Sequence, residues 1–153
     1  MNRSRYVTRR LDTTDRDIIA ALTEDGRMTV RDLAARIGLS SPSITERILK
    51  LKDAGAITGY TVLVDPKAFG LNIAAYVRIR AKPGEVKRIA QMLSDTPQVV
   101  EADRVTGADC FLAKVVVGDV QELETLVDRF VPFAATDTAI IQSSAVVKRL
   151  PIL

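Results

Sequence analysis

Four side chains at helical spacing could contact the edges of nucleic-acid bases. They are Ser43, Glu46, Arg47 and Lys50, which fall within an arc of about 100° at 3.6 residues per turn. Arg and Lys can donate to guanine acceptors, Glu can accept from the cytosine amine, and Ser can do either. The pattern also fits an ordinary polar helix surface, and Arg47 could instead brace its domain through an internal ion pair.

A basic arm precedes this region. The first ten residues contain Arg3, Arg5, Arg9 and Arg10 and no acidic residue. Residues 1–64 hold 11 basic and 8 acidic residues, whereas residues 65–153 hold 11 of each, so the whole net charge of +3 lies in the first part. Such an arm predicts contact with a polyanion, and the alternative is a solvated terminus.

Several kinds of catalytic and metal site are excluded by composition. The sequence has no histidine and one cysteine, Cys110, which rules out Ser-His-Asp and Cys-His catalysis, His-ligated metals and Cys-cluster zinc sites. No nucleophile–base pair or glycine-rich phosphate loop is visible, so we expect neither an enzyme nor a cofactor. A single cysteine fits a reducing, cytoplasmic compartment, and no apolar stretch approaches the about 18 residues of a membrane span.

Three short helices are predicted in the first 54 residues. Thr14-x-x-Asp17 and Thr29-x-x-Asp32 match the capping box that opens a helix. Gly38 is placed to end the second helix in a left-handed conformation, and Ser40 or Ser41 can cap the third. The tight turn between the second and third helices is typical of a helix-turn-helix.

A linker is predicted after the third helix. Residues 57–64 are β-branched and apolar and predict a strand, and Asp65-Pro66 and Gly70 then break the chain. We therefore expect a basic arm and helix-turn-helix domain over residues 1–56, a linker strand that packs over residues 57–70, and a second domain over residues 71–153.

The second half alternates strands and helices in the order β-α-β-β-α-β. Strands are predicted at residues 73–81, 99–105, 111–117 and 136–149, with helices after Pro83-Gly84 and Gly118-Asp119. Two split βαβ halves form the ferredoxin-like arrangement. The predicted fold class is α+β, an N-terminal helix-turn-helix domain plus a C-terminal ferredoxin-like βαββαβ domain.

One face of this sheet lacks a covering helix. Tyr76 lies on that face, and together with the apolar last strand it predicts that a second copy of the chain supplies the cover, giving a dimer. The alternative is a solvated face, which antiparallel sheets allow.

Short motifs along most of the chain occur together in one order. They are Leu11-Asp12-x-x-Asp15, Gly26-Arg27, Asp32-Leu33-Ala34, Ile37-Gly38-Leu39-Ser40, Arg47-Ile48-x-x-Leu51, Gly55-x-Ile57-x-Gly59-Tyr60, Gly70 and Val105-Thr106-Gly107. In these motifs, followed by β-α-β-β-α-β, the chain resembles the Lrp/AsnC family, the feast/famine regulators, over about residues 11–150.

The resemblance implies a DNA-binding transcriptional regulator with a recognition helix at residues 40–54. It implies dimers that assemble into tetramers, octamers or larger rings, and an amino acid bound between dimers. The DNA-binding candidates are Arg3, Arg5, Arg9, Arg10, Ser40, Ser41, Ser43, Thr45, Glu46, Arg47 and Lys50.

The same resemblance implies a ligand loop. The effector-binding candidates are Thr106, Gly107, Ala108, Asp109 and Cys110 in the loop and Thr136 and Thr138 at the head of the last strand. Many members carry an aspartate where this chain has Cys110, and Asp109 stands one residue earlier, where it can reach a ligand amine or be solvated. The two threonines could simply reflect β-propensity. No cation adjoins Cys110, so we expect a small buried hydrophobe rather than a redox sensor.

The sequence therefore predicts a sequence-specific DNA-binding transcriptional regulator that responds to an amino acid or related metabolite bound at an oligomer interface. The alternative is an amino-acid-binding regulatory subunit without DNA binding, because ferredoxin-like domains bind amino acids in several settings. The basic arm and the capped three-helix unit argue against this alternative.

Overall fold

The computed structural model describes residues 11–146, which divide into two compact units between Leu63 and Val64. The first unit contains the helices α1 (Thr13–Glu24), α2 (Val30–Ile37) and α3 (Ser41–Asp53). The second contains β1 (Ile73–Ala81), α4 (Val86–Ser94), β2 (Val99–Arg104), β3 (Phe111–Val117), α5 (Val120–Asp128) and β4 (Ala134–Ile140), after a short 3₁₀ helix at Pro66–Phe69. The division falls inside the segment predicted to be the linker, residues 57–70.

The helices of the first unit begin at polar caps. Thr29 and Ser40 cap α2 and α3 through their side chains, so Ser40 rather than Ser41 starts the third helix. The prediction that Thr14 caps the first helix is wrong, because Asp12 is the N-cap of α1. Asp12 forms a reciprocal capping box with Asp15, and a carboxylate is at least as good an acceptor for the free N–H groups as a threonine hydroxyl.

A small apolar core holds the three helices together. Ile18 of α1, Leu33 of α2 and Ile44 of α3 are almost completely buried in it. Gly38 joins α2 to α3 with a φ of 79°, and its N–H donates to the Ala34 carbonyl at 2.9 Å. The helix-turn-helix predicted from sequence is thus confirmed. Because one face of α3 is buried in the core, its opposite face points outward.

The strand predicted at residues 57–64 is absent. Residues 58–65 have no regular secondary structure, and Val62 and Leu63 are 81% and 89% exposed rather than packed. A strand requires a neighbour that satisfies its backbone groups, and no strand within residues 11–146 pairs with this segment. Of the segment predicted to pack, Ile57 contacts the core of the helical unit, whereas Val62 and Leu63 do not pack.

The second unit is a four-stranded sheet with two helices on one face. The strand order is β2-β3-β1-β4, and every neighbouring pair is antiparallel. Ala75, Val77 and Ile79 of β1 are buried with Ile89 of α4 and Leu123 of α5. This interleaved order is that of the ferredoxin-like fold, so the predicted α+β fold class is confirmed.

The last strand is shorter than predicted. We expected residues 136–149, whereas β4 spans Ala134–Ile140 and pairs with β1 from Ala81↔Ala134 to Ala75↔Ile140. The Ile141 N–H still donates to the Ala74 carbonyl at 2.8 Å, but residues 143–146 lie beyond the register of β1, which begins at Ile73. Residues 147–149 of the predicted strand lie outside the described part of the chain.

Candidate nucleic-acid and effector sites

The outward face of α3 carries polar and charged side chains. Ile44 and Leu51 are buried against the other helices, while Thr45, Glu46 and Lys50 are exposed. The four residues predicted from spacing therefore form two groups: Glu46 and Lys50 are exposed, whereas Ser43 and Arg47 are only partly exposed.

Glu46 and Lys50 form an ion pair one helical turn apart. Lys50 Nζ donates to Glu46 Oε1 at 2.5 Å, and this hydrogen bond lowers the pKa of the Glu46 carboxyl, with a further contribution from the Lys50 charge. Both side chains are more than half exposed, so the pair contributes little to stability and can exchange partners readily. The two groups are an acceptor and a donor that a base edge could engage.

Arg47 points toward the start of α1. Its Nη1 donates to Asp12 Oδ2 and to Asp15 Oδ1, both at 2.8 Å. These two hydrogen bonds raise the pKa of the guanidinium above its ordinary value. Two roles were predicted for Arg47, a contact with a base and an internal ion pair. The structure contains the internal ion pair.

The hydroxyl candidates take part in the first turn of α3. Ser40 Oγ accepts the Ser43 N–H at 3.4 Å and lies 2.9 Å from Ser43 Oγ. Thr45 Oγ1 donates to the Ser41 carbonyl at 3.0 Å. A base contact in which Thr45 donates would therefore compete with an existing hydrogen bond, whereas its hydroxyl oxygen can still accept one. The remaining DNA-binding candidates, Arg3, Arg5, Arg9 and Arg10, lie outside the described residues.

A cavity opens between the beginning of α1 and the middle of α3. Its volume is about 260 Å³, and its lining includes Leu11, Asp15, Glu46, Arg47 and Lys50. The lining also contains Leu51 and Ala54, so the cavity has an apolar side next to the core, and the Arg47 side chain reaches across it to Asp15.

The predicted effector loop connects β2 to β3. Gly107 has a φ of 112°, which lets the chain reverse, and the Val105 N–H closes the loop by donating to the Cys110 carbonyl at 3.1 Å. Within residues 11–146, the backbone N–H groups of residues 106–109 have no hydrogen-bond partner in the chain. The loop therefore offers several backbone donors to a ligand or to water.

Arg80 of β1 holds this loop from the uncovered face of the sheet. Its Nε donates to the Ala108 carbonyl at 3.0 Å, and its Nη2 lies 3.4 Å from Asp109 Oδ1. Sequence reasoning missed this residue. Arg80 and Asp109 are 29 positions apart, and only the neighbouring register of β1 and β3 brings them together.

The two threonine candidates lie on the other side of the sheet. Thr136 and Thr138 are opposite Ile79 and Val77 in the β1–β4 register, so they share the face of those buried residues. Arg80, which holds Asp109, belongs to the opposite face. Within one chain the structure does not bring Asp109 together with the two threonines.

Cys110 is half-buried and packs against the core of the second unit. Its N–H donates to the Ile79 carbonyl at 2.8 Å, so its backbone continues the pairing of β1 with β3. This placement is that of a small packed side chain. In the part of the chain that the structure describes, no three His, Cys, Asp or Glu residues are grouped to hold a metal. Among the same residues, no helix has the length and apolarity needed to cross a bilayer.

Two known domain families match the two units. A family described as winged helix-turn-helix DNA-binding matches residues 11–58, and the Lrp/AsnC ligand binding domain matches residues 74–151. The transcriptional regulator LrpC of Bacillus subtilis is 33% identical over 88% of this chain and 93% of its own length. The chain belongs to the Lrp/AsnC family.

Solved structures of Lrp/AsnC proteins have the same fold. The structure of Bacillus subtilis LrpC covers 90% of this chain and 99% of its own, with a TM-score of 0.86 at 33% identity. The NMB0573/L-Met complex from Neisseria meningitidis covers 92% of this chain and 96% of its own, with a TM-score of 0.85 at 24% identity. The second likeness concerns the fold alone.

This Lrp/AsnC protein is a DNA-binding transcriptional regulator, and its relatives are regulators rather than enzymes. The expectation that it is not an enzyme is therefore confirmed. The alternative of a regulatory subunit without DNA binding is wrong.

An exposed leucine on α3 was also missed by sequence reasoning. Leu49 is 54% exposed on the same face as Glu46 and Thr45. The 3.6-residue period places it there, but the search for hydrogen-bonding groups passed over it because its side chain is apolar.

Proposed function

We propose that this regulator reads DNA with the outward face of α3 and that copies of the chain, assembled through the open face of the sheet in the cytoplasm, respond to an amino acid. The DNA part rests on one observation above all. Glu46 and Lys50 are exposed on the third helix of a helix-turn-helix unit whose opposite face is fixed by Ile44 and Leu51. In this motif the third helix enters the major groove, and the basic arm supplies phosphate contacts.

The test of DNA reading uses Lys50→Ala in the full chain. A duplex selected from a random-sequence pool by the wild-type protein serves as the probe, in a series of salt concentrations. Loss of a phosphate contact makes the negative slope of log K against log salt shallower by about 0.9. Loss of a base contact weakens binding by about 1–3 kcal/mol.

Lys87→Ala provides the matched control. Lys87 is an exposed lysine on α4, in the other unit, so its removal changes net charge equally without touching α3. Wild-type affinity and slope for Lys50→Ala would refute the proposed face of α3.

The proposed effector is an α-amino acid because the loop offers groups for both of its charges. Asp109 supplies a carboxylate for the ammonium group, and the backbone N–H groups of residues 106–109 are donors for the carboxylate. The match of this unit to a family of ligand-binding domains supports the same class.

Thermal melting against the twenty amino acids tests this proposal, with L-Met among the first because a protein of the same fold was solved with it. A ligand specific to the folded state raises the midpoint. Asp109→Asn should abolish the increase, whereas Asp128→Asn, at the exposed end of α5, should preserve it. No increase with any amino acid would refute the effector class.

The proposed assembly follows from the uncovered face of the sheet. Tyr76 is 43% exposed there, beside Arg78, which pairs with Asp137 of β4. A second copy related by a two-fold axis can cover this face, because an isologous interface needs only self-complementarity. The family resemblance extends the proposal to tetramers or octamers.

Sedimentation of the full chain tests the assembly. Tyr76→Glu should reduce the mass by placing a charge in the interface, whereas Val120→Glu should not. Val120 is a 52% exposed apolar residue at the start of α5, away from the open face. An unchanged mass for Tyr76→Glu would refute the proposed interface.

A further inference from the structure

We infer that Arg47 is a positioning residue, which fixes the recognition helix α3 to the start of α1 instead of contacting DNA itself. The inference rests on the proposed role of α3 in DNA reading. It is carried by the arrangement of two carboxylates around one guanidinium nitrogen.

All four carboxylate oxygens of Asp12 and Asp15 accept a hydrogen bond. Asp12 Oδ1 accepts the Asp15 N–H at 2.8 Å, and Asp15 Oδ2 accepts the Asp12 N–H at 3.3 Å, which forms the capping box of α1. The other oxygen of each carboxylate accepts from Arg47 Nη1 at 2.8 Å. The cap that begins α1 is therefore also the anchor for the middle of α3.

Burial makes this arrangement specific to Arg47. The Asp15 side chain is 6% exposed and that of Arg47 is 31% exposed. A buried carboxylate needs a paired charge or several hydrogen bonds, and Asp15 has both. Among residues 11–146, by contrast, Glu46 and Lys50 pair with each other alone, within one exposed helical turn.

The ion pairs of Arg47 lie beside the cavity of about 260 Å³. The Arg47 side chain crosses this opening and pairs with Asp12 and Asp15, which lie 35 and 32 positions earlier in the sequence. We therefore expect the ion pairs to add to the apolar core in fixing the angle at which α3 is presented.

Direct DNA contact by Arg47 predicts different behaviour. Its Nε and Nη2 make no hydrogen bond within residues 11–146, so a phosphate or a base could engage them. In that case Asp15 would only repel DNA, and Asp15→Asn would leave affinity unchanged or increase it. If Arg47 positions α3, Asp15→Asn weakens binding in the same direction as Arg47→Ala.

The experiment compares Arg47→Ala, Asp15→Asn and the double variant in the full chain. Affinity is measured on the duplex selected by the wild-type protein, and amide hydrogen exchange is followed in α3 and, as an internal reference, in α4. We expect each single variant to weaken DNA binding and to speed α3 exchange about tenfold, with the double variant no worse than the more affected single variant. Exchange in α4 should be unchanged.

Arg47→Lys keeps the test decisive if Arg47→Ala fails to fold. It preserves the charge but loses the planar fork of the guanidinium. We expect faster α3 exchange with an unchanged slope of affinity against salt. A slope lowered by about 0.9 in this variant or in Arg47→Ala, or wild-type exchange in α3, would overturn the inference.

The outcome is separable from that of the proposed function. If Lys50→Ala binds DNA like the wild type, the outward face of α3 is not the reading surface, whatever Arg47 does. If Lys50→Ala weakens binding and Asp15→Asn does not, α3 reads DNA but Arg47 is not its positioning residue.

Discussion

Replacement of Gly38 by alanine should destabilise the helical unit through backbone conformation alone. Gly38 has a φ of 79°, and no atom lies within 4 Å of the position a Cβ would occupy. A clash is therefore absent, and the cost is that of a left-handed L-residue, about 1–2 kcal/mol. Alanine also lowers the conformational entropy of the unfolded chain, which stabilises the folded state by about 0.4–1 kcal/mol and offsets part of this cost. The expected net loss is about 1 kcal/mol, or roughly a fivefold larger open population.

Hydrogen exchange of the α2 and α3 amides measures this loss directly. Gly38→Asn should cost less than Gly38→Ala, because asparagine tolerates the left-handed region. Gly26→Ala is the matched control in the same unit. A Cβ there would meet the Leu22 carbonyl oxygen at 3.7 Å, an ordinary contact, and its φ is not positive. This substitution should be neutral or slightly stabilising.

The reasoning would be refuted if Gly38→Ala and Gly26→Ala gave the same exchange rates. It would also fail if Gly38→Asn were the more damaging of the two substitutions at that turn. Either result would mean that the turn between α2 and α3 does not depend on the left-handed conformation of Gly38.

Two further predictions concern the same unit. Ile44→Ala, at a fully buried position of α3, should lower the free energy of unfolding by about 2–5 kcal/mol in chemical denaturation. Leu49→Ala, at a position 54% exposed, should change it by no more than about 0.5 kcal/mol. Equal losses would contradict the assigned faces of α3. The hydrogen bond and charge of Arg36 lower the pKa of Glu24 below its usual 4.5, so their contribution to stability is present above that value and lost as pH falls through the lowered pKa. Glu24→Gln should therefore be less stable than the wild type at pH 7 and equal to it in strong acid. Glu124→Gln, exposed on α5, removes the same charge from the other unit and is the matched control.

Local rules explain why most of the fold was predictable. The caps at Thr29 and Ser40 and the reversal at Gly38 depend on residues within one turn of each other, and the sequence contains all of them. Alternation along β1 places Ala75, Val77 and Ile79 on the core face because successive side chains of a regular strand point to opposite faces.

Features that depend on distant partners were not predictable. The ion pairs of Arg47 require carboxylates more than 30 positions away, and the same helical spacing would also fit a DNA contact. The face of Thr136 follows from its register with Ile79, which sequence does not specify. The apolar segment around Val62 satisfies the composition of a strand, but composition cannot supply the neighbour that a strand needs.

The position of β4 beside β1 has a consequence for how the protein is made. Arg78 and Asp137, which pair across these strands, are 59 positions apart, so the sheet cannot close until both β1 and β4 have left the ribosome. The three helices at the other end of the chain make most of their contacts among residues already synthesised. The contacts among these three helices can therefore form while the sheet is still being translated.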